Sequence, residues 1–420
     1  MRSVIAGLFG TVVAGAAAAQ PAALPIRQSA AEAVAQDAED YANRHGVSLP
    51  DAIRRLRAQE ESVAPTDRLR IVHGARLAGI SVQHRPDFRI IVLLAGDEPV
   101  PAEQIRAGGL DVPVEFRTGA PATRQQVLHA LEVHQPAIRA AYPNAQGMGL
   151  DQRTGAFVLM LKGDAIGPDD ARRIEAEIEL LTAVPVRVRL LDRPDLDLAV
   201  EGGARVVGVD PADGRTYACT TGFPVTDGHR DGMITAAHCP DAATYLDVDG
   251  SRVPLEFVGQ WGARYQDVQV HVTGAPVGPF FYADRARRSS RPVTAARARA
   301  STRAGDTVCR FGEATGYSCS EVELTDFSPP GALCAGPCEP VWVTVTGPKC
   351  RNGDSGGQIF AGTTAFGITK GGSYTSGRCN FYYYMSTDFL PDGWRLRIGG
   401  DADPSLHAEP RTRLFAEGLR

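Results

Sequence analysis

Two short segments in the second half of the chain hold residue types that could do chemistry together. One is Ile234-Thr235-Ala236-Ala237-His238-Cys239, the other Cys350-Arg351-Asn352-Gly353-Asp354-Ser355-Gly356-Gly357. A five-residue string such as Gly-Asp-Ser-Gly-Gly arises by chance in well under one chain in ~1,000 of this length. A serine hydroxyl is a weak nucleophile until a positioned base takes its proton, and a histidine, titrating near neutrality, is the natural base. The glycines around Ser355 let the backbone turn tightly, so that N–H groups can point at one spot beside the hydroxyl. Gly353 and Ser355 would supply those donors to a developing oxyanion. Singly, the segments have blander readings as an ordinary turn and a core histidine. Together they point to acyl transfer, with Ser355 as nucleophile and His238 as base.

The two motifs, in this order, resemble those of the chymotrypsin-like serine proteases, and more closely the bacterial secreted branch of α-lytic protease and the streptogrisins. The resemblance covers about residues 200 to 390. It implies a serine endopeptidase that hydrolyses peptide bonds through an acyl-enzyme, and a chain order of histidine, aspartate, serine. Asp241, Asp247, Asp249, Asp267, Asp284 and Asp306 all lie between the two motifs. Asp267 is chosen because it heads the alternating run Asp267-Val268-Gln269-Val270-His271-Val272, as the family's aspartate does. The resemblance also suggests disulfides Cys219–Cys239, Cys309–Cys319 and Cys350–Cys379, which leaves Cys334 to Cys338. Zinc on that last pair is the weaker reading, since no second Cys or His pair stands at ligand spacing in an oxidising compartment. No cofactor or metal is expected. In the bacterial branch an arginine beside the middle disulfide pairs with the aspartate before the nucleophile, which here implies Arg310 with Asp354. The substrate strand matches Lys370-Gly371-Gly372, where most relatives carry serine in place of Lys370. That lysine either bonds the aspartate or turns outward. Phe381-Tyr382-Tyr383-Tyr384 either narrows the specificity pocket or belongs to the core. A broad hydrophobic preference is expected from the open Gly371-Gly372 wall; Lys349, Arg351 and Lys370 keep an acidic preference as the rival.

The elements that must position these residues change character midway. Ser29 to Asn43 and Leu49 to Ala58 carry apolar residues at helical spacing. Beyond them, Phe88 to Leu94, Ala156 to Leu161 and Val186 to Leu191 read as strands, and Arg124 to Tyr142 and Pro168 to Thr182 as helices. The first half is therefore α+β and ends in a strand-helix-strand unit. After Gly203, short β-prone runs recur between Gly, Asp and Pro: Arg205 to Val209, Thr216 to Val225, Val253 to Val258, Val268 to Val272, Val308 to Phe311, Val341 to Val345 and Ala365 to Thr369. Such texture marks an antiparallel barrel or sandwich, and with the resemblance it predicts an all-β double β-barrel. Arg285 to Arg303 carries seven arginines and no acid, and is read as a solvated connector between two β units.

Length and composition set the frame. The 420 residues allow two or three domains, and 43% apolar with 22% charged residues fit a globular chain. All eight cysteines lie between Cys219 and Cys379. Arg2, the apolar stretch from Val4 and the small residues ending at Ala19 form a secretory-signal pattern. Export and an even set of clustered cysteines imply disulfides. The net charge of −5 leaves neither half strongly acidic or basic, which argues against nucleic acid as a partner, and no segment is apolar enough for a membrane anchor. The expected organisation is a signal peptide over 1–19, an α+β pro-region over 20–198, a chymotrypsin-like double-barrel protease domain over 199–390 and a C-terminal tail over 391–420. The expected protein is a secreted monomeric zymogen, periplasmic only in transit, whose partners are peptide or protein substrates and its own pro-region, acting as folding catalyst and inhibitor. The alternatives are a catalytically silent relative that binds peptides or a wall polymer, and an enzyme that keeps its N-terminal half as a binding domain.

Overall fold

The computed structural model describes residues 26–162, 166–191, 196–197, 206–209, 214–246, 252–274, 276–284, 289–334, 336–347, 349–375 and 378–399. The signal pattern, Asp247, Asp249 and the last twenty residues lie outside them.

The first half opens with three helices, α1 (Ala30–His45), α2 (Leu49–Glu61) and α3 (Val63–Val72). Ser29 starts α1 through a capping box with Glu32, and Ser48 caps α2, each satisfying N–H groups that have no partner inside the helix. The sequence reading missed α3: its valine, threonine and proline content gives a weak helical signal, and packing of Leu69 decides the matter. Helices α2 and α3 cover a sheet built from Leu77–Gln83, Arg89–Ala95, Leu110–Ala120 and Glu103–Ala107, while α1 packs on α2 and on the second half. A second unit follows: α4 (Arg124–Ala141), the hairpin Ala145–Asp151 with Ala156–Lys162, α5 (Pro168–Thr182) and Val186–Leu191. The last strand runs parallel to Ala156–Lys162, so α5 is the crossover of a βαβ unit.

The cysteine-bearing half is an all-β double barrel. In the first barrel Val206–Val209, Thr216–Cys219, Ala243–Leu246 and Arg252–Pro254 form one sheet. Pro224–Thr226, Asp231–Thr235, Glu256–Trp261 and Val268–Val272 form the other, joined by the returning strand Arg395–Leu396. In the second barrel a ladder runs through Gly316–Glu321, Thr307–Gly312, Gln358–Ala361, Thr364–Thr375, Arg378–Ser386 and Val343–Thr346, and a bridge from Val322 to Val345 closes it. One core serves both, with Phe223, Ile234 and Val270 of the first packed with Phe360, Ile368 and Tyr383 of the second. The run Thr216 to Val225, read as one strand, is two. Between them Thr220 donates its N–H to the Ser355 carbonyl, and a Cβ on Gly222 would lie 2.8 Å from both Ile234 and Ile368. The interruption brings the barrels together.

Contrary to the sequence reading, the described part of the arginine-rich stretch, residues 289–303, is not a solvated connector. Arg291 and Arg303 have no exposed surface, and Arg297 is 5% exposed. Arg291 donates to Asp37 of α1 at 2.8 Å. Arg303 reaches the Gln59 carbonyl at 2.7 Å and the hydroxyls of Ser62 and Thr66. The halves also share a sheet: Asp326–Ser328 pairs antiparallel with Ala145–Asp151. A Cβ on Gly147 would sit 2.4 Å from the Phe327 ring, so only glycine admits that approach. A charge count along the chain shows none of this, because the partners are hundreds of residues away.

Candidate active site

His238 follows the strand Asp231–Thr235, and Asp267 immediately precedes Val268–Val272. These strands are adjacent and antiparallel, with Thr235 opposite Gln269, so the loops at one end carry both residues to one spot. Ser355 comes from the second barrel, in the turn before Gln358–Ala361. His238 Nδ1 lies 2.9 Å and 3.2 Å from the two Asp267 carboxylate oxygens, and its Nε2 lies 2.8 Å from Ser355 Oγ. A carboxylate accepts only, so Nδ1 carries the hydrogen and the Nε2 lone pair faces the hydroxyl. That is the tautomer a base needs.

Glycine geometry shapes the turn. Gly353 has φ +106° and Gly356 φ +79°, conformations that L side chains rarely adopt. A Cβ on Gly356 would lie 2.2 Å from Thr235 Oγ1 and 2.4 Å from the Thr220 carbonyl. Asp354, wholly buried, accepts from Arg310 Nη2 at 2.6 Å, Thr315 Oγ1 at 2.9 Å and the Arg351 N–H at 2.9 Å. Arg310 has no exposed surface. This buried pair ties the serine turn to the strand Thr307–Gly312. The disulfides are Cys219–Cys239, Cys309–Cys319, Cys334–Cys338 and Cys350–Cys379.

Lys370 turns inward. Its ammonium is 3.5 Å from Asp267 Oδ2 and 5.4 Å from the centre of the Trp342 ring, and the side chain is 2% exposed. Burial alone would raise the Asp267 carboxyl, but the adjacent imidazole of His238 and the Lys370 ammonium bring it down to about 2. Lys349 and Arg351 are exposed, unlike the buried Lys370. Phe381, Tyr382, Tyr383 and Tyr384 are core residues, each at most 1% exposed. Of the other aspartates, Asp306 is bound to Arg303 and Asp284 to Ser289. His238, Asp267 and Lys370 line a cavity of about 350 Å³.

The sequence reading lays the strand Val186–Leu191 and the linker after it toward the active site but gives no partner or register on the substrate strand. Leu196–Asp197 pairs antiparallel with it, Asp197 opposite Gly371 and Leu196 opposite Gly372.

A double β-barrel bringing histidine, aspartate and serine together in this chain order is the arrangement of the chymotrypsin-like serine proteases, which this half of the chain resembles. It is 32% identical over 192 residues to Streptogrisin-C of Streptomyces griseus, a stretch covering 44% of this chain and 40% of that protein. Against Streptogrisin-D of the same organism the identity is 28% over 186 residues, covering 42% and 44%. The chain thus spans less than half the length of the curated relatives it matches. No family model matches it. Among solved structures, Thermobifida fusca Protease A aligns at TM-score 0.37 and 22% identity, over 47% of this chain and 98% of its own. Cellulomonas bogoriensis chymotrypsin aligns at TM-score 0.36 and 25% identity, over 48% and 99%.

Proposed function

We propose that the chain is a secreted serine endopeptidase made as a self-processing zymogen, with residues 20–198 as the pro-region and 199–390 as the protease. Ser355 Oγ attacks the scissile carbonyl while His238 Nε2 takes its proton. The negative charge that develops on the carbonyl oxygen is met by the N–H groups of Gly353 and Ser355. His238 then gives the proton to the leaving amine, and an acyl ester remains on Ser355. Water, deprotonated by the same nitrogen, attacks the ester and restores the hydroxyl. Asp267 holds the imidazole tautomer and stabilises the imidazolium.

The observation that carries the zymogen reading is the pairing of Leu196–Asp197 with Gly371–Gly372. An extended segment laid antiparallel on a sheet edge is how a peptide is bound by strand addition. The expected processing site is the bond between residues 198 and 199, just beyond this paired segment. A leucine there also agrees with a hydrophobic pocket. No helix among the described residues is long and apolar enough to cross a membrane.

The test combines a fluorophosphonate label with N-terminal sequencing of the secreted protein. The expected result is Ser355 labelled on a chain of about half length that begins at Ala199. Label on the uncleaved chain would instead make the N-terminal half a permanent domain. Absence of label would support a silent binding relative, for which Lys370 against Asp267 is the favouring feature. Ser355→Ala and His238→Ala should each abolish hydrolysis and processing, since such groups act as a unit. Asp267→Asn should lower turnover by roughly 10⁴ with the fold intact, as the wrong tautomer would then face the serine.

A further inference from the structure

Away from the protease centre, a cavity of about 460 Å³ lies where the first half meets the second barrel. Three donors converge there: His45 in the last turn of α1, His84 just after Leu77–Gln83, and Glu321 at the end of Gly316–Glu321. One ligand atom from each lies within 4.8 Å of the others, and His45 Nε2 is 3.8 Å from Glu321 Oε1. The His45 side chain is 4% exposed, yet neither ring nitrogen has a hydrogen-bond partner among the described residues. A buried imidazole left unsatisfied is costly, and buried polar groups are nearly always paired.

His84 is already oriented. Its Nε2 lies 2.6 Å from the Gly305 carbonyl, which can only accept, so Nε2 carries the hydrogen. The Nδ1 lone pair accepts from the Tyr41 hydroxyl at 2.8 Å, the hydrogen bond a metal ion would have to displace. A histidine held by one N–H on a backbone carbonyl, with its other nitrogen left as a donor of electrons, is the arrangement that orients metal ligands.

We propose that His45, His84 and Glu321 bind one divalent transition-metal ion of the zinc type, which joins the N-terminal half to the second barrel. Two imidazoles and a carboxylate are a zinc-class donor set, with a fourth position open to water from the cavity. Bonds of about 2 Å at tetrahedral angles put ligand atoms roughly 3.3 Å apart, so binding draws the three together by about an ångström and turns the Tyr41 hydroxyl aside. Arg44, Arg85 and Arg153 border the site and donate to the backbone carbonyls of Cys319, Arg44 and Val322 respectively, and Arg153 also stands 3.6 Å from Glu321 Oε2, an ion pair the metal would compete with. Their charge weakens a bare cation's binding and suits an anionic fourth ligand. Two ligands come from one half and one from the other, so separating the halves destroys the site. The site itself does not depend on the protease reading; only its role as a clasp on the zymogen does.

The test is a cobalt(II) titration of the metal-free, full-length Ser355→Ala chain. One equivalent should give the visible absorption of four-coordinate cobalt, and zinc should displace it. His45→Gln and Glu321→Gln should each weaken binding at least roughly tenfold, whereas His238→Ala should bind as the parent does. If His45→Gln fails to fold, Glu321→Gln, at a partly exposed side chain, carries the comparison. A parent chain with no saturable cobalt spectrum, or equal affinity in Glu321→Gln, overturns the assignment.

Discussion

At the scale of single residues the informative departure is Lys370. Its ammonium shares the Asp267 carboxylate with His238 and so offsets part of the negative charge that would stabilise an imidazolium. Removing the ammonium should make the protonated histidine easier to form. Lys370→Ser is therefore expected to move the acid limb of the kcat/KM profile to higher pH by roughly half to one unit, with the plateau rate retained. Lys370 is thus a positioning residue, and a simple packing role would leave the limb where it is. An unchanged limb in a pH series on a peptide ester would remove it from the mechanism.

At the scale of elements, Val268–Val272 is buried along its whole length, although His271 lies within it. Met233 and Phe257 stand opposite His271 in the neighbouring strands, and neither is ionisable. Burial lowers its imidazole to about 4. Between pH 6.5 and 4 the unfolded chain therefore binds more protons than the folded one. Stability is full above pH 6.5 and falls as the pH drops toward 4. The loss from this group is at most about 3 kcal/mol. His271→Phe, which keeps an aromatic body beside Phe257, should flatten that acid-side fall, as read by urea melts at pH 7 and pH 4.5. Parallel losses in parent and variant would contradict this account.

At the scale of the whole molecule, the halves are locked by buried charge as well as by a shared sheet. Asp37 accepts from Arg291, the Tyr317 hydroxyl and the Gly362 N–H, and burial raises its carboxyl from the usual range. Asp37→Ala leaves Arg291 buried beside a missing partner, a loss of about 3–5 kcal/mol for pairs of this kind. Urea melts of the uncleavable Ser355→Ala chain should show a drop of that order; less than about 1 kcal/mol would mean the pair contributes little. A double barrel is rich in non-local pairing and slow to form, and its disulfides make stability largely kinetic. On the proposed zymogen reading, a preformed partner that supplies α1, α2 and the edge strand Ala145–Asp151 would lower that barrier. Residues 199–420 refolded alone should thus stay inactive, and adding residues 20–198 should restore activity; efficient unaided refolding would exclude a folding role.

What the sequence determined by itself was local or carried by motif. Helix α5 and the strand Val186–Leu191 are legible to the residue, because a Gly-Pro-Asp-Asp start and β-branched alternation are local signals. The reactive pair His238 and Ser355 is legible because glycine-bounded strings are rare. Asp267 needed the resemblance, since six other aspartates lie between the two motifs. Only the tertiary structure decided the direction of Lys370, the burial of Arg291 and Arg303, the laying of Leu196–Asp197 on the substrate strand, and the meeting of His45 and His84 with Glu321. Each of those depends on a partner tens to hundreds of residues away. A side chain's burial and charge state follow from what folding places against it, which periodicity and composition along the chain do not encode.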